Sequence, residues 1–157
     1  MREQHVNGSS ELHDARVDVK VVLSGLWISM LFGFAYVDIF GFWRKDVIEG
    51  ALEAKVPGVG FAINQMFLAL TTIYVLIPSL MLVVSLLAPP KLNRRANLIV
   101  AVVYIATIAA SMVGESWVYY LLGSVVEILL LLAIVRTAWR WPKTAAAPWD
   151  LRCKVTA

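Results

Sequence analysis

The chain has 157 residues, of which 60% are hydrophobic, and its mean hydropathy is +0.74. This composition lies far outside the range of water-soluble proteins and excludes a separate soluble catalytic domain, because the apolar residues occupy nearly the whole chain in long blocks. The net charge of +3 falls at the ends and connections of these blocks, so it carries information about membrane orientation and gives no reason to expect nucleic-acid binding.

Four apolar blocks lie at roughly 19–42, 60–87, 96–113 and 117–139, and each is close to the ~20 residues that cross ~30 Å of hydrocarbon. The sequence therefore predicts an all-α polytopic membrane protein, an antiparallel four-helix transmembrane bundle over about 19–141. A polar head, 1–18, precedes the bundle, and a loose tail, 142–157, follows it. Both are expected on the cytoplasmic side.

The first block carries a row of small residues, Gly25, Ser29, Gly33 and Gly41, spaced at multiples of four. Such a row lets another helix backbone approach closely. Two interpretations follow: packing against another helix of the same chain, or a homodimer seam.

A short amphipathic segment, 46–56, follows the first block. Its apolar residues recur on one helical face, which predicts a short helix lying on the membrane surface. It is either a plain connector or a lid over the bundle.

Basic residues set the predicted topology. Lys91, Arg94 and Arg95 fill the connection between the second and third blocks without an acidic residue, and further bases precede the first block and follow the fourth. The positive-inside rule then places both termini and the 88–95 connection in the cytoplasm. Gly114 predicts a tight turn between the third and fourth blocks.

Glu127 lies in the middle of the fourth block, where an ionised carboxylate costs at least about 2.5 kcal/mol on insertion scales. Tyr120 and Ser124 share its helical face at i, i+4 and i+7 spacing. Tyr104 and Thr107 lie at a similar depth on the third block. The two stripes predict a buried polar seam that contains the carboxyl group.

A second polar layer is expected nearer the outer surface, with Asp38 late in the first block and Gln65 early in the second. Asp38 is near a helix C-terminus, where the dipole disfavours an anion, so we expect Lys45 or Gln65 to partner it. About 15 Å of depth is expected between Asp38 and Glu127, at a rise of about 1.5 Å per residue. The candidate ligand- or proton-binding residues are Glu127, Asp38, Tyr104, Thr107, Tyr120, Ser124, Thr72, Gln65 and Trp27.

Three functions fit this pattern. The first is a small-molecule or proton-coupled binding or transport module, in which Glu127 holds a proton until a cationic substrate displaces it. The second is a non-catalytic membrane partner or assembly subunit, in which a protonated Glu127 bonds to Tyr104 or Thr107 as interhelical glue. The third, an integral enzyme acting on a lipid-like substrate, has the least residue support, and no catalytic residue is assigned.

Histidine and cysteine occur only outside the predicted spans, as His5, His13 and Cys153. The spans therefore offer no ligand set for haem or a metal ion, and no cofactor is expected. The partner that the sequence does imply is the lipid bilayer.

Four segments together resemble a family of uncharacterised bacterial four-span membrane proteins: Leu26-Trp27 through Tyr36-Val37-Asp38, Asn93 to Asn97, Glu127, and Ala138 to Trp141. The likeness covers about 18–142. It implies four helices and a bacterial inner-membrane location, and it implies nothing about chemistry.

Overall fold

A computed structural model describes residues 17–141. It contains five helices: α1 (Val19–Gly41), α2 (Lys45–Leu52), α3 (Gln65–Leu87), α4 (Pro90–Ser111) and α5 (Val118–Trp139). The four longer helices are long and apolar enough to cross a membrane. The predicted all-α architecture, with four candidate spans and one short helix, is confirmed. The predictions for the tail, 142–157, and for most of the head, 1–18, lie outside the described residues.

The helix ends follow the breaker residues of the sequence. α3 ends at Leu87, and Pro90 is the first residue of α4. Proline suits this position because its φ is fixed near the helical value and its missing N–H would be unpaired there anyway. α4 therefore begins six residues before the predicted start at 96. Gly114, with a φ of 85°, makes the turn between α4 and α5, as expected.

The order of helices around the bundle is α3, α1, α5, α4, because α1 packs against α3 and α5, and α5 packs against α4. α3 and α4 are consecutive in the chain, yet they share a smaller contact. We call the end where α1 and α4 begin the closed end. The other end, which carries α2 and residues 53–64, is the open end.

The best-packed part of the bundle lies toward the closed end. α3 contributes buried side chains only from its second half, Pro78, Met81 and Ser85. Its first half, from Gln65 to Ile77, has none. The other buried apolar side chains are Leu23, Trp27 and Met30 on α1, Ala88 just after α3, Ala101, Tyr104 and Ile108 on α4, and Leu131, Ile134 and Ala138 on α5.

A buried hydrogen-bond network joins three helices near the closed end. Trp27 Nε1–H donates to Asn97 Oδ1 over 2.7 Å, and Ser85 Oγ donates to the same oxygen over 3.2 Å. Asn97 Nδ2 donates to Asn93 Oδ1, and Asn93 Nδ2 donates to the Ser85 carbonyl. These polar groups satisfy one another, as burial in an apolar medium requires.

α1 and α5 run antiparallel in a register that steps by four residues on each helix. A Cβ atom on Gly41 would lie 3.7 Å from the Tyr119 hydroxyl, and one on Gly33 would lie 3.3 Å from Glu127 Cγ. Between these levels, a Cβ on Gly123 would overlap Val37 Cγ2. Gly33 and Gly41 therefore serve packing within the chain. Gly25 faces open space, and a homodimer along this row stays a prediction.

The register predicts opposite effects for two glycine substitutions. Gly123→Ala should lower the free energy of unfolding by about 1–3 kcal/mol, the usual cost of overpacking. Gly25→Ala, also inside a helix, should leave it unchanged or raise it by about 0.5–1 kcal/mol, because alanine is the better helix former. Thermal unfolding of the two variants in detergent checks this difference, and equal effects would contradict the register.

An ion-pair cluster joins the connection between α1 and α2 to the connection between α4 and α5 at the open end. Arg44 pairs with Asp46 at 2.6 Å and with Glu115 at 2.9 Å, and its guanidinium lies 4.8 Å from the centre of the Trp117 ring. Glu115 Oε1 also accepts the backbone N–H groups of Ser116 and Trp117 at the start of α5. Burial by itself raises the pKa of Glu115, but these donors outweigh it, so the pKa lies below its usual value.

Glu115→Gln should therefore cost roughly 1 kcal/mol of stability at neutral pH, because a charge-assisted bond between two connections is lost. A lowered pKa means that the carboxylate contributes stability above its unfolded pKa, about 4.3, and loses it as the pH falls through the folded pKa. Thermal unfolding at neutral and acidic pH should show the variant losing less stability on acidification than the parent. Glu49→Gln, an exposed carboxylate, is the control and should behave as the parent does.

Candidate binding site

A cavity of about 930 Å³ lies toward the open end, between the first half of α3 and the other long helices. Most of its wall is apolar. Phe61, Ala62, Asn64 and Met66 line its mouth, and Phe67, Leu70, Thr71, Tyr74 and Val75 form the α3 wall. The remaining lining residues are Phe34, Val37 and Asp38 on α1, Thr107, Ile108 and Ser111 on α4, and Tyr120, Ser124 and Glu127 on α5.

The inner end of the cavity depends on a proline. Pro78 lies inside α3 and has no N–H, so the Tyr74 carbonyl, four residues earlier, loses its helical donor. The Tyr104 hydroxyl of α4 donates to that carbonyl. A carbonyl in the hydrocarbon region needs such a donor. The bond holds α3 to α4 at the level where the cavity ends.

Three aromatic rings cover this junction. Tyr74 and Tyr104 stack with their centroids 4.6 Å apart, and Phe34 stacks on both at 6.0 and 6.2 Å. The Tyr74 and Thr107 hydroxyls share a hydrogen bond of 2.7 Å. Beyond the rings, Trp27 packs edge-on to Tyr104 and begins the closed-end network. We call Phe34, Tyr74 and Tyr104 the aromatic floor.

Glu127 forms part of the α5 wall. The residue is only 4% exposed, and no described residue donates a hydrogen bond to its Oε1 atom. The expected bonds from Tyr104 or Thr107 are not formed, because these hydroxyls donate to the Tyr74 and Tyr104 carbonyls instead. The carboxyl group therefore lies in an apolar wall, beside the cavity, with an unused acceptor.

Asp38 lies on the α1 wall of the same cavity. Within residues 17–141 it forms no ion pair and accepts no hydrogen bond, so the expected partnership with Lys45 or Gln65 is not made. Gly33 is level with Glu127, and Asp38 is five residues further along α1, which is about 7–8 Å at a rise of 1.5 Å per residue. The expected depth of about 15 Å between the two carboxyl groups was too large.

The structure brings together five of the predicted candidates as lining residues: Glu127, Asp38, Thr107, Tyr120 and Ser124. The Tyr120 hydroxyl donates to Ser111 Oγ across the α4–α5 wall. Tyr104 lies in the floor. Three candidates lie elsewhere: Gln65 is not among the lining residues, Thr72 is exposed and donates to the Leu68 carbonyl of its own helix, and Trp27 belongs to the closed-end network.

Phe34 and Tyr74 of the floor were not among the nine candidates, which included Thr72 although Thr71 lines the cavity. Adjacent residues on a helix point about 100° apart, so depth alone could not separate the two threonines. Pro78 was a usable signal for Tyr74, because the freed carbonyl is always four residues earlier. Nothing in the sequence singled out Phe34.

The ionisable charged residues among the described lining residues are all acidic. The lining holds two carboxyl groups, and no Lys, Arg or His from the described residues. No group of three metal-ligating side chains occurs among residues 17–141. The site can therefore hold protons, or a cation that draws most of its contacts from apolar and aromatic groups.

The junction between Pro78 and Tyr104 can be tested by a double-mutant cycle. Tyr104→Phe should cost about 0.6–2 kcal/mol, the range measured for interhelical hydrogen bonds. In a Pro78→Ala background it should cost less, because the new N–H of residue 78 can donate to the Tyr74 carbonyl. Unfolding free energies in detergent measure the coupling. Additive effects would show that the hydroxyl does not replace the missing donor.

Fold and site together define a multi-pass helical membrane protein with an internal, acidic, mostly apolar cavity. A family model matches residues 10–147, and the chain belongs to that family, a family of unknown function (DUF6326). The resemblance to an uncharacterised family of four-span membrane proteins is thus confirmed, and the bacterial origin stays a prediction. No curated protein and no solved structure matches the chain.

Proposed function

We propose that the protein is a small-molecule binding or transport module in which Glu127 exchanges a proton for the ligand. The observation that carries the proposal is the placement of this carboxyl group, which has an unused acceptor at Oε1 in the wall of a cavity of about 930 Å³. This volume falls in the range of small-molecule sites. A carboxyl group in such a wall is held neutral by its proton, and exchange for a ligand releases it.

The alternative is an assembly subunit in which Glu127 is interhelical glue. That function has less support, because Oε1 of Glu127 has no hydrogen-bond partner among the described residues that would link two helices. Glu127 is also beside open volume, whereas structural polar groups such as Asn93 and Asn97 are fully buried and bonded.

For the orientation, we propose that both termini lie on the cytoplasmic side of a bacterial inner membrane. The support is the distribution of basic residues around the 88–95 connection and the first and last spans. The cavity then opens toward the outer face.

Proton flux in reconstituted vesicles tests the proposal. A potassium diffusion potential drives protons, and an entrapped pH dye reports them. The parent protein should carry protons, and Glu127→Gln should reduce the flux to that of protein-free vesicles, because an amide cannot bind and release a proton at this position.

Glu49→Gln is the matched control. It removes an exposed carboxylate of α2 that pairs with Lys45 and does not line the cavity, so its flux should equal that of the parent. Circular dichroism and size exclusion confirm the fold of each variant. Equal flux in Glu127→Gln and parent, or no flux from the parent, would contradict proton exchange.

A further inference from the structure

The charge of the cavity limits the ligands that it can accept. Among the described residues, Asp38 and Glu127 are its only carboxyl groups, and no basic residue lines the wall. An anion entering this space would meet like charges at low dielectric. A monocation can replace one proton, so the wall and its contents keep the same total charge.

The apolar and aromatic lining separates two kinds of cation. A hard metal cation is coordinated by six or more oxygen ligands from protein and water, and the described residues gather no group of three or more acidic, histidine or cysteine side chains to hold one. An organic cation with delocalised or shielded charge loses less hydration free energy on leaving water than a metal cation does. Aromatic faces also attract it, and the cavity supplies Phe34 and Tyr74 at the floor and Phe61 and Phe67 nearer the mouth.

The two carboxyl groups lie in sequence along the cavity. Asp38 is closer to the open end, because it is near the end of α1, and Glu127 is level with Gly33, next to Phe34 of the aromatic floor. The first half of α3 forms the facing wall with no buried side chain of its own. A bulky ligand can therefore be admitted by displacement of this half-helix without breaking the packed core.

We propose that the ligand of this cavity is a bulky lipophilic organic monocation, of the quaternary ammonium or phosphonium class. Asp38 attracts it near the mouth, and it comes to rest between Glu127 and the aromatic floor. This inference rests on the proposed function, since the ligand takes the place of the proton on Glu127.

Equilibrium binding of two probes of the same shape and opposite charge tests the ligand class. Tetraphenylphosphonium is a cation and tetraphenylborate is an anion, and both are measured on the full chain in nanodiscs, with protein-free nanodiscs subtracted. We expect saturable binding of the cation only. Glu127→Gln and Asp38→Asn should each weaken it by about tenfold or more, the effect of roughly 1.4 kcal/mol, while Glu49→Gln should not change it.

The bilayer composition identifies the source of the cation. Discs of phosphatidylglycerol offer no cationic headgroup, whereas phosphatidylethanolamine offers an ammonium group. Binding of the phosphonium that is unchanged in phosphatidylethanolamine supports a free cation. Competition by phosphatidylethanolamine supports the same cation chemistry, supplied by a lipid.

Several results would overturn the ligand class. Equal binding of the borate would show that the cavity does not select charge, and equal phosphonium binding in Glu127→Gln, Asp38→Asn and Glu49→Gln would place the probe elsewhere. Asp38 forms no ion pair or hydrogen bond within residues 17–141, so its variant remains informative if Glu127→Gln does not fold.

Absence of phosphonium binding with intact Glu127-dependent proton flux would refute the ligand class alone. Absence of both would refute the proposed function as well.

Discussion

The hydrogen bond from the Tyr104 hydroxyl to the Tyr74 carbonyl determines where the bundle is closed and where it is open. Pro78 removes the helical donor of that carbonyl, and the hydrocarbon region supplies no water in its place. α3 must therefore stay against α4 at this level. Toward the closed end the helices share a packed core and the network around Asn97. Toward the open end α3 contributes no buried side chain, and the cavity occupies the space between this half of α3 and the other long helices.

The packing of α1 against α5 sets the positions of Asp38 and Glu127 in the cavity wall. Gly33 and Gly123 bring the two helices close, because neither has a side chain to separate the backbones. Glu127 then lies against α1 at Gly33, with its carboxyl group beside the cavity and without a hydrogen bond to the hydroxyl of Tyr104 or Thr107. The close approach of α1 and α5 at these glycines thus also fixes the position of the Glu127 carboxyl group.

Much of the fold could be predicted because the bilayer imposes strong rules on sequence. Span number, the turn at Gly114 and the break at Pro89-Pro90 follow from hydropathy and backbone chemistry alone. Five of the nine site candidates line one cavity because helical spacing assigns residues such as Tyr120, Ser124 and Glu127 to one face. The predicted hydrogen bond between Glu127 and Tyr104 was wrong for a different reason. Tyr104 had two acceptors at similar depth, and only the rotation of α4 decides which one it meets.

By itself, the sequence determined the membrane class, the four spans and the presence of a costly carboxyl group at mid-depth, since each depends on local composition. Tertiary structure alone decided that α3 lies beside α1, that Asp38 and Glu127 share one cavity, and that Phe34 contributes to its floor. These depend on helix order and rotation, which arise from contacts between residues far apart in the chain. An apolar helix has no single hydrophobic face in lipid, so its pattern does not reveal which side meets a neighbour.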